Sequence, residues 1–342
     1  MRITPKPRHD SPTFGKRRPH VVAVGAAAMV LALAATTGCG SHGSDSSSGT
    51  ITVASSSDGL GFLPIYVGID KGLYKAAGLD VKATSVKGGS AGVAALTGGS
   101  AQFYAGLPES QITAAAAGST SVIVSALTDS NDYSIVASSK ITSLKQLPGK
   151  KFAMLSEGNG TDVQPRWLLD KTGVGSKKVT FVASGSVPDR LSALKAHQVD
   201  ATILNTPYEF QAEKAGFNVI ANLADYVENY PAQIIMSNPK ILKQRPADVK
   251  AFLKATLKAS QYIDDHPETV VPIAVKHTGL DESLVRDGLQ QFIKTKHYST
   301  TGQVSTEGLQ WAMGLLSKYS DQDVPAKPDD LVDLSYLPGG KR

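Results

Sequence analysis

The loop Ser156-Glu157-Gly158-Asn159-Gly160-Thr161 sets glycines, hydroxyls and an amide just ahead of a helical pattern. Unpaired N–H groups at a helix start carry partial positive charge, and glycine lets a ligand approach them closely. The stretch therefore reads as a seat for an anion. Its candidate contacts are Ser156, Gly158, Asn159 and Thr161. Four more loops share the pattern of small and hydroxyl residues before a helix. Residues 55–62 offer Ser56, Ser57, Leu60 and Phe62, and residues 87–90 offer Gly88, Gly89 and Ser90. Residues 106–109 offer Leu107, Pro108 and Glu109, and residues 205–208 offer Asn205 and Tyr208. Phe62, Tyr104 and Tyr208 add flat apolar walls to these polar rims.

Several of these residues also have local uses. Ser90 suits a helix N-cap. Thr206-Pro207-Tyr208-Glu209 fits a capping box with proline at the first helical position, which assigns Thr206 and Glu209 to the helix. Glu109 suits either a cationic ligand group or a helix start, and Trp167 reads as packing on an apolar stripe. No complete catalytic set is legible. His197, His266, His277 and His297 are scattered without HExxH spacing, the GxSxG order occurs at Gly88-Gly89-Ser90-Ala91-Gly92 with no histidine near it in the sequence, and the glycine-rich 156–161 loop lacks the Lys-Ser/Thr of a phosphate-transfer loop. The sequence reads as a binding protein rather than an enzyme, with no cofactor or metal.

The one cysteine, Cys39, cannot form an intramolecular disulfide or a paired-thiol metal site. It follows a basic head (Arg2, Lys6, Arg8, Lys16, Arg17, Arg18), an uncharged run over residues 21–35 and the small residues Thr36-Thr37-Gly38. That is the layout of a secretory signal, and the apolar run falls short of the roughly 20 residues of a spanning helix. Residues 41–49 are nearly all Ser and Gly, a flexible tether. The net charge of +5 belongs to this leader. Six Lys/Arg and one acid precede Cys39, leaving 29 basic and 29 acidic residues beyond it. The body carries no basic excess, so nucleic acid is not an expected partner.

From Ile51 short β-rich runs alternate with helical patterns, which predicts an α/β fold with mainly parallel strands. Strands are expected at 51–55, 79–86, 101–105, 121–127, 133–137, 151–155, 179–183, 201–204, 219–223 and 232–236. Helices are expected at 63–75, 89–96, 110–117, 161–171, 188–195 and 207–215. After Pro239 the pattern turns helical, with Val249, Phe252, Leu253, Leu257 and Ser260 on one stripe. Two segments, ALTGGSAQFYAGLP (residues 95–108) and ALKAHQVDATILNTP (residues 193–207), share an order of helix end, turn, strand and proline.

These segments resemble the solute-binding proteins of ABC importers, in the NMT1/THI5-like group that takes nitrate, sulfonates, taurine and pyrimidine precursors. The likeness is carried by LPIYVGIDKGLYKAAGLDV (residues 63–81), GGSAGVAALTGGSAQFYAG (88–106), SLKQLPGKKFAM (143–154), ALKAHQVDATILNTPYEF (193–210) and PADVKAFLKATLKASQYIDDHPE (246–268). Gln102 departs from the acid usual at its position. The resemblance implies a two-lobed periplasmic-binding-protein fold of type II, with mixed, mainly parallel sheets, flanking helices and a hinge. One lobe would hold residues 51–138 and 224–342, the other 139–223, after a signal peptide (1–38) and a tether (39–50). It also implies a monomer that captures a small-molecule ligand, a nitrate-, sulfonate- or taurine-like anion ahead of a pyrimidine-type heterocycle, by lobe closure. The implied partners are an ABC permease and its ATPase. Around Cys39 the sequence resembles a bacterial lipoprotein signal, with Thr36 in place of the usual leucine, which implies lipidation at Cys39 and an extracytoplasmic, membrane-anchored protein.

Overall fold

The computed structural model describes residues 49–340 apart from 321, 323, 325 and 326. Cys39, the leader and most of the tether lie outside the described residues. Residues 47–342 form a contact unit of their own, with both sheets and every core cluster inside it.

Among the described residues ten strands form, all where the sequence places them to within two residues at either end. They are β1 (Ile51–Ser55), β2 (Val81–Ser85), β3 (Phe103–Gly106), β4 (Val122–Ala126), β5 (Tyr133–Ala137), β6 (Lys151–Met154), β7 (Thr180–Ala183), β8 (Ala201–Asn205), β9 (Asn218–Asn222) and β10 (Ile234–Ser237). Twelve helices are described: α1 (Leu63–Asp70), α2 (Leu73–Ala76), α3 (Gly89–Thr97), α4 (Pro108–Ala116), α5 (Gly160–Lys171), α6 (Val187–Lys195), α7 (Tyr208–Lys214), α8 (Pro239–Gln244), α9 (Pro246–Asp265), α10 (Pro267–Thr278), α11 (Glu282–Lys294) and α12 (Thr306–Tyr319). The single helix expected over 63–75 is two, because Gly72 takes a left-handed φ of 69° that no helix interior holds.

The strands make two five-stranded sheets of the same design. Their orders are β2-β1-β3-β10-β4 and β7-β6-β8-β5-β9. In each, three neighbouring strands run parallel, and the fourth inserts antiparallel to both of its neighbours. The sheets are thus mixed as expected, with antiparallel pairings as frequent as parallel ones. Each inserted strand follows a crossover from the other sheet. β5 pairs Ile135 with Ile203 of β8 and with Ala221 of β9. Tyr133–Ala137, grouped by sequence with the first lobe, belongs by its hydrogen bonds to the second sheet. The chain first crosses between Ala126 and Tyr133, and it returns between Asn222 and Ile234.

The largest apolar cluster lies on the first sheet, where α9 buries Val249, Phe252, Leu253, Leu257 and Ile263. Each large side chain removed from water in this way contributes roughly 1.5–3 kcal/mol. A separate cluster joins α4, α5 and α12 through Ile112, Val163, Tyr230, Ala312 and Leu316. The sequence therefore builds two sheets and then ties them together across three helices. Among the described residues no helix is long and apolar enough to cross a membrane.

Candidate functional site

The carboxyl ends of β1, β2, β6 and β7 and the start of β5 converge on one cavity of about 540 Å³. Parallel strands deliver their following loops to the same side, where helix starts point inward, so a ligand there meets N–H groups from several helices at once. Ser56, Ser57, Gly88, Gly89, Leu107, Asn159, Thr161 and Tyr208 all line it. A second cavity of about 720 Å³ shares Gly88, Gly89, Ser110, Leu155 and Asn159 with the first, and takes Ser90, Glu109, Ser156 and Gly158 into its own wall. The remaining four expected contacts line neither cavity. Leu60 and Phe62 sink into the core of the first sheet, because their 3-10 turn points its apolar side chains inward. Pro108 is buried in the first turn of α4, and Asn205 is buried beside Asp132.

Local hydrogen bonds decide which of these groups remain free. Asn159 caps α5 by accepting from the Thr161 amide at 3.0 Å. The Thr161 hydroxyl donates to that same Asn159 oxygen at 3.1 Å and accepts from the Leu155 amide at 2.9 Å. Both side-chain oxygens of this pair are thus used within the loop. Glu109 is also committed. One of its oxygens accepts from Gln164 at 2.9 Å and the other from the Tyr230 hydroxyl at 2.8 Å. Burial still pushes its carboxyl above the usual range. The expected capping box at residues 206–209 is replaced by a direct bond, in which the Thr206 hydroxyl donates to Glu209 at 2.5 Å while no side chain caps α7.

Two buried groups face the first cavity with hydrogen-bonding capacity to spare. Tyr104, on β3, is fully buried and its hydroxyl has no hydrogen-bond partner among the described residues. Burial pushes this phenol up to about 12; the Ser110 and Ser56 hydroxyls lie close enough to offset part of that rise without meeting hydrogen-bond geometry. Its ring is held by glycine: a Cβ on Gly92 would lie 2.0 Å from the ring, so α3 approaches β3 only because that residue has no side chain. Arg190, on α6, is 1% exposed. Its Nε donates to the Ile203 carbonyl at 3.1 Å and Nη1 to the Gly185 carbonyl at 2.8 Å. Nη2 has no partner, and no carboxylate forms an ion pair with this guanidinium among the described residues, though the Asp189 charge acts on it through space. Burial pulls Arg190 down to about 10, so it keeps its positive charge at neutral pH.

A buried cation fixed by two carbonyls, with one nitrogen left over at a cavity wall, is an unsatisfied electrostatic site. An anion would complete it, and a cation would be repelled. Around it stand Ser186 and the start of α6, Tyr133 on β5, and Asp58, whose carboxylate accepts from the Tyr66 hydroxyl at 2.7 Å. The sequence reading missed Arg190, Tyr133, Ser110 and the residues 185–188 loop. A signal for Arg190 was present: Val187, Arg190, Leu191 and Leu194 fall at i, i+3, i+4, i+7, so an arginine occupies the inward stripe of a short helix. Among the described residues no cluster of three His, Cys, Asp or Glu side chains could hold a metal.

The family model described as NMT1/THI5 like matches residues 60–270. The chain belongs to that family. This NMT1/THI5-like chain is 22% identical over 257 residues to a Bacillus subtilis (strain 168) protein named as a binding protein, YtlA, covering 73% of this chain and 77% of that one. It superposes with a TM-score of 0.71 on the alkanesulfonate-binding protein SsuA from Xanthomonas axonopodis pv. citri bound to MOPS, at 15% identity, over 83% of this chain and 98% of that one. The nitrate-binding protein NrtA from Synechocystis PCC 6803 gives 0.70 at 14% identity, over 84% and 86%. These likenesses establish the periplasmic-binding-protein fold expected of an NMT1/THI5-like chain.

Proposed function

We propose that this NMT1/THI5-like protein is a solute-binding protein that captures a small anion in the cavity between its two sheets and delivers it to an ABC permease. The observation that carries the reading is Arg190, a buried positive charge that lines the cavity, makes no ion pair among the described residues and leaves Nη2 without a partner. Tyr104, Ser56, Ser57, Ser110 and the start of α3 surround the same space with donors. The relatives named for nitrate and alkanesulfonate bind ligands that such donors suit. The two sheets act as lobes that close on the solute around residues 127–132 and 223–233, a ligand-biased shift between two arrangements. The leader directs export, and lipidation at Cys39 keeps the protein at the outer face of the membrane as a monomer. The task is capture rather than catalysis.

Tyr104, Tyr133 and Tyr208 in the wall favour a second reading, a flat heterocycle such as a pyrimidine precursor. Thermal-shift and calorimetric screening with nitrate, taurine, alkanesulfonates and pyrimidines separates the two, since a bound ligand raises stability by RT ln(1 + [L]/Kd). Stabilisation by nitrate- or sulfonate-type anions is expected. Stabilisation by pyrimidines alone would transfer the site to the second reading, and turnover of any compound would make the protein an exported enzyme.

A further inference from the structure

Helix α9 buries one side and lines the other with lysine. Lys250, Lys254 and Lys258 are exposed at successive i, i+4 positions, and Lys240 and Lys243 on the adjoining α8 are exposed as well. Lysines four apart repel each other along a helix, and the usual relief is an acid interleaved at the same spacing. None is present here. The five lysines make no ion pair among the described residues. Of the acids on α9, Asp248 pairs with Arg245 at 2.6 Å, Asp265 accepts from Gln261 at 3.0 Å, and Asp264 lies beyond the last lysine of the triplet without an ion pair to any of the five. A body with balanced charge has thus gathered an uncompensated basic stripe on one face.

That face is also where the described chain begins. The Arg245 guanidinium donates to the Gly49 carbonyl at 2.8 Å, which fixes the first described residue beside the start of α9. The lysine triplet runs from there for about 12 Å, at 1.5 Å per helical residue. Between Cys39 and Gly49 the chain is Ser- and Gly-rich.

We infer that the α8–α9 lysine stripe is a membrane-docking surface that rests on anionic phospholipid headgroups. Lipid at Cys39, which belongs to the reading above, would hold Gly49 within reach of the bilayer and raise the local lipid concentration the stripe meets. The charge complementarity stands without the anchor.

The test uses the chain from residue 47, the unit that contains both sheets and every core cluster. It is sedimented with phosphatidylglycerol/phosphatidylcholine vesicles and with phosphatidylcholine vesicles. Lys250→Glu/Lys254→Glu/Lys258→Glu should lower partition onto the anionic vesicles at least about tenfold, since each lysine near such a surface is worth about 1 kcal/mol. Salt should weaken the parent's binding. The matched triple Lys145→Glu/Lys177→Glu/Lys178→Glu, exposed lysines beside the second sheet, should cost less than about threefold for the same change of charge. Equal losses from both triples, no sedimentation with anionic vesicles, or retention only by vesicles carrying a permease would each overturn the inference. Ligand affinity of both triples is measured alongside and should not change, which keeps failure here distinct from failure of the anion reading.

Discussion

Helices α3 and α6 occupy the same place in the two sheets and have the same length, yet the fourth residue is Gly92 in one and Arg190 in the other. In the first sheet the niche between helix and strand is filled from the strand, by the Tyr104 ring lying over the bare Gly92 backbone. In the second it is filled from the helix, by the Arg190 guanidinium bonded to the Ile203 carbonyl of β8. One design built twice has thus produced a neutral donor on one wall and a fixed positive charge on the other. A cavity between such walls can grip an anion electrostatically from one side and orient it from the other. The paired glutamates differ in the same manner. Glu109, at the start of α4, has both oxygens satisfied from Gln164 and Tyr230. Glu209, at the start of α7, has only Thr206, and its second oxygen has no partner among the described residues.

The sharpest break of this comparison is Arg190→Met, which keeps the volume and removes the charge. Anion affinity should fall about 100-fold or more, because truncating one member of a buried charge pair costs 2–5 kcal/mol. Calorimetry checks this, with circular dichroism confirming the fold. Unchanged affinity would show that the second wall does not hold the ligand's charge.

Next in size is the pH dependence of stability. Burial first, with the Asp132 charge adding to it, pushes Glu209 up to about 8 against an ordinary 4.5. The folded state keeps a proton there that the unfolded chain releases above pH 4.5. The stabilisation is complete below that pH and is lost as pH rises through 8, at about 1.4 kcal/mol per pH unit. Glu209→Gln should flatten the fall in melting temperature between pH 5 and 8 and raise stability at pH 8. Glu109→Gln should destabilise instead, because it turns a satisfied acceptor into a donor facing Gln164 and Tyr230. Identical behaviour of the two variants would erase the contrast.

The smallest effect is expected of Tyr104→Phe. It leaves the ring packed over Gly92 and deletes one donor, so affinity should drop about five- to tenfold, equivalent to roughly 1 kcal/mol. A loss as large as that of Arg190→Met would mean that the neutral wall, not the charged one, carries recognition.

The sequence was legible wherever a local rule governs. Short β-rich runs such as 51–55 and 133–137 became strands at those very residues, and the repeat between residues 95–108 and 193–207 marks equivalent positions, β3 and β8, of the two sheets. Ser56, Gly88 and Asn159 reached the cavity because glycine and hydroxyl loops before helices follow a general rule of parallel strands. Leu60, Phe62 and Asn205 did not, because whether a loop residue faces the cavity or the core depends on the packing behind it.

Alternation, capping residues and glycine placement act over a few bonds, and so the chain by itself set its strands, its helices and the loops able to meet a ligand. Which sheet β5 joins, which buried glutamate finds partners for both oxygens, and the placing of Arg190 beside the cavity with one buried nitrogen unpartnered were decided only in three dimensions. Those outcomes depend on partners far along the chain, whose proximity exists only after both sheets have formed.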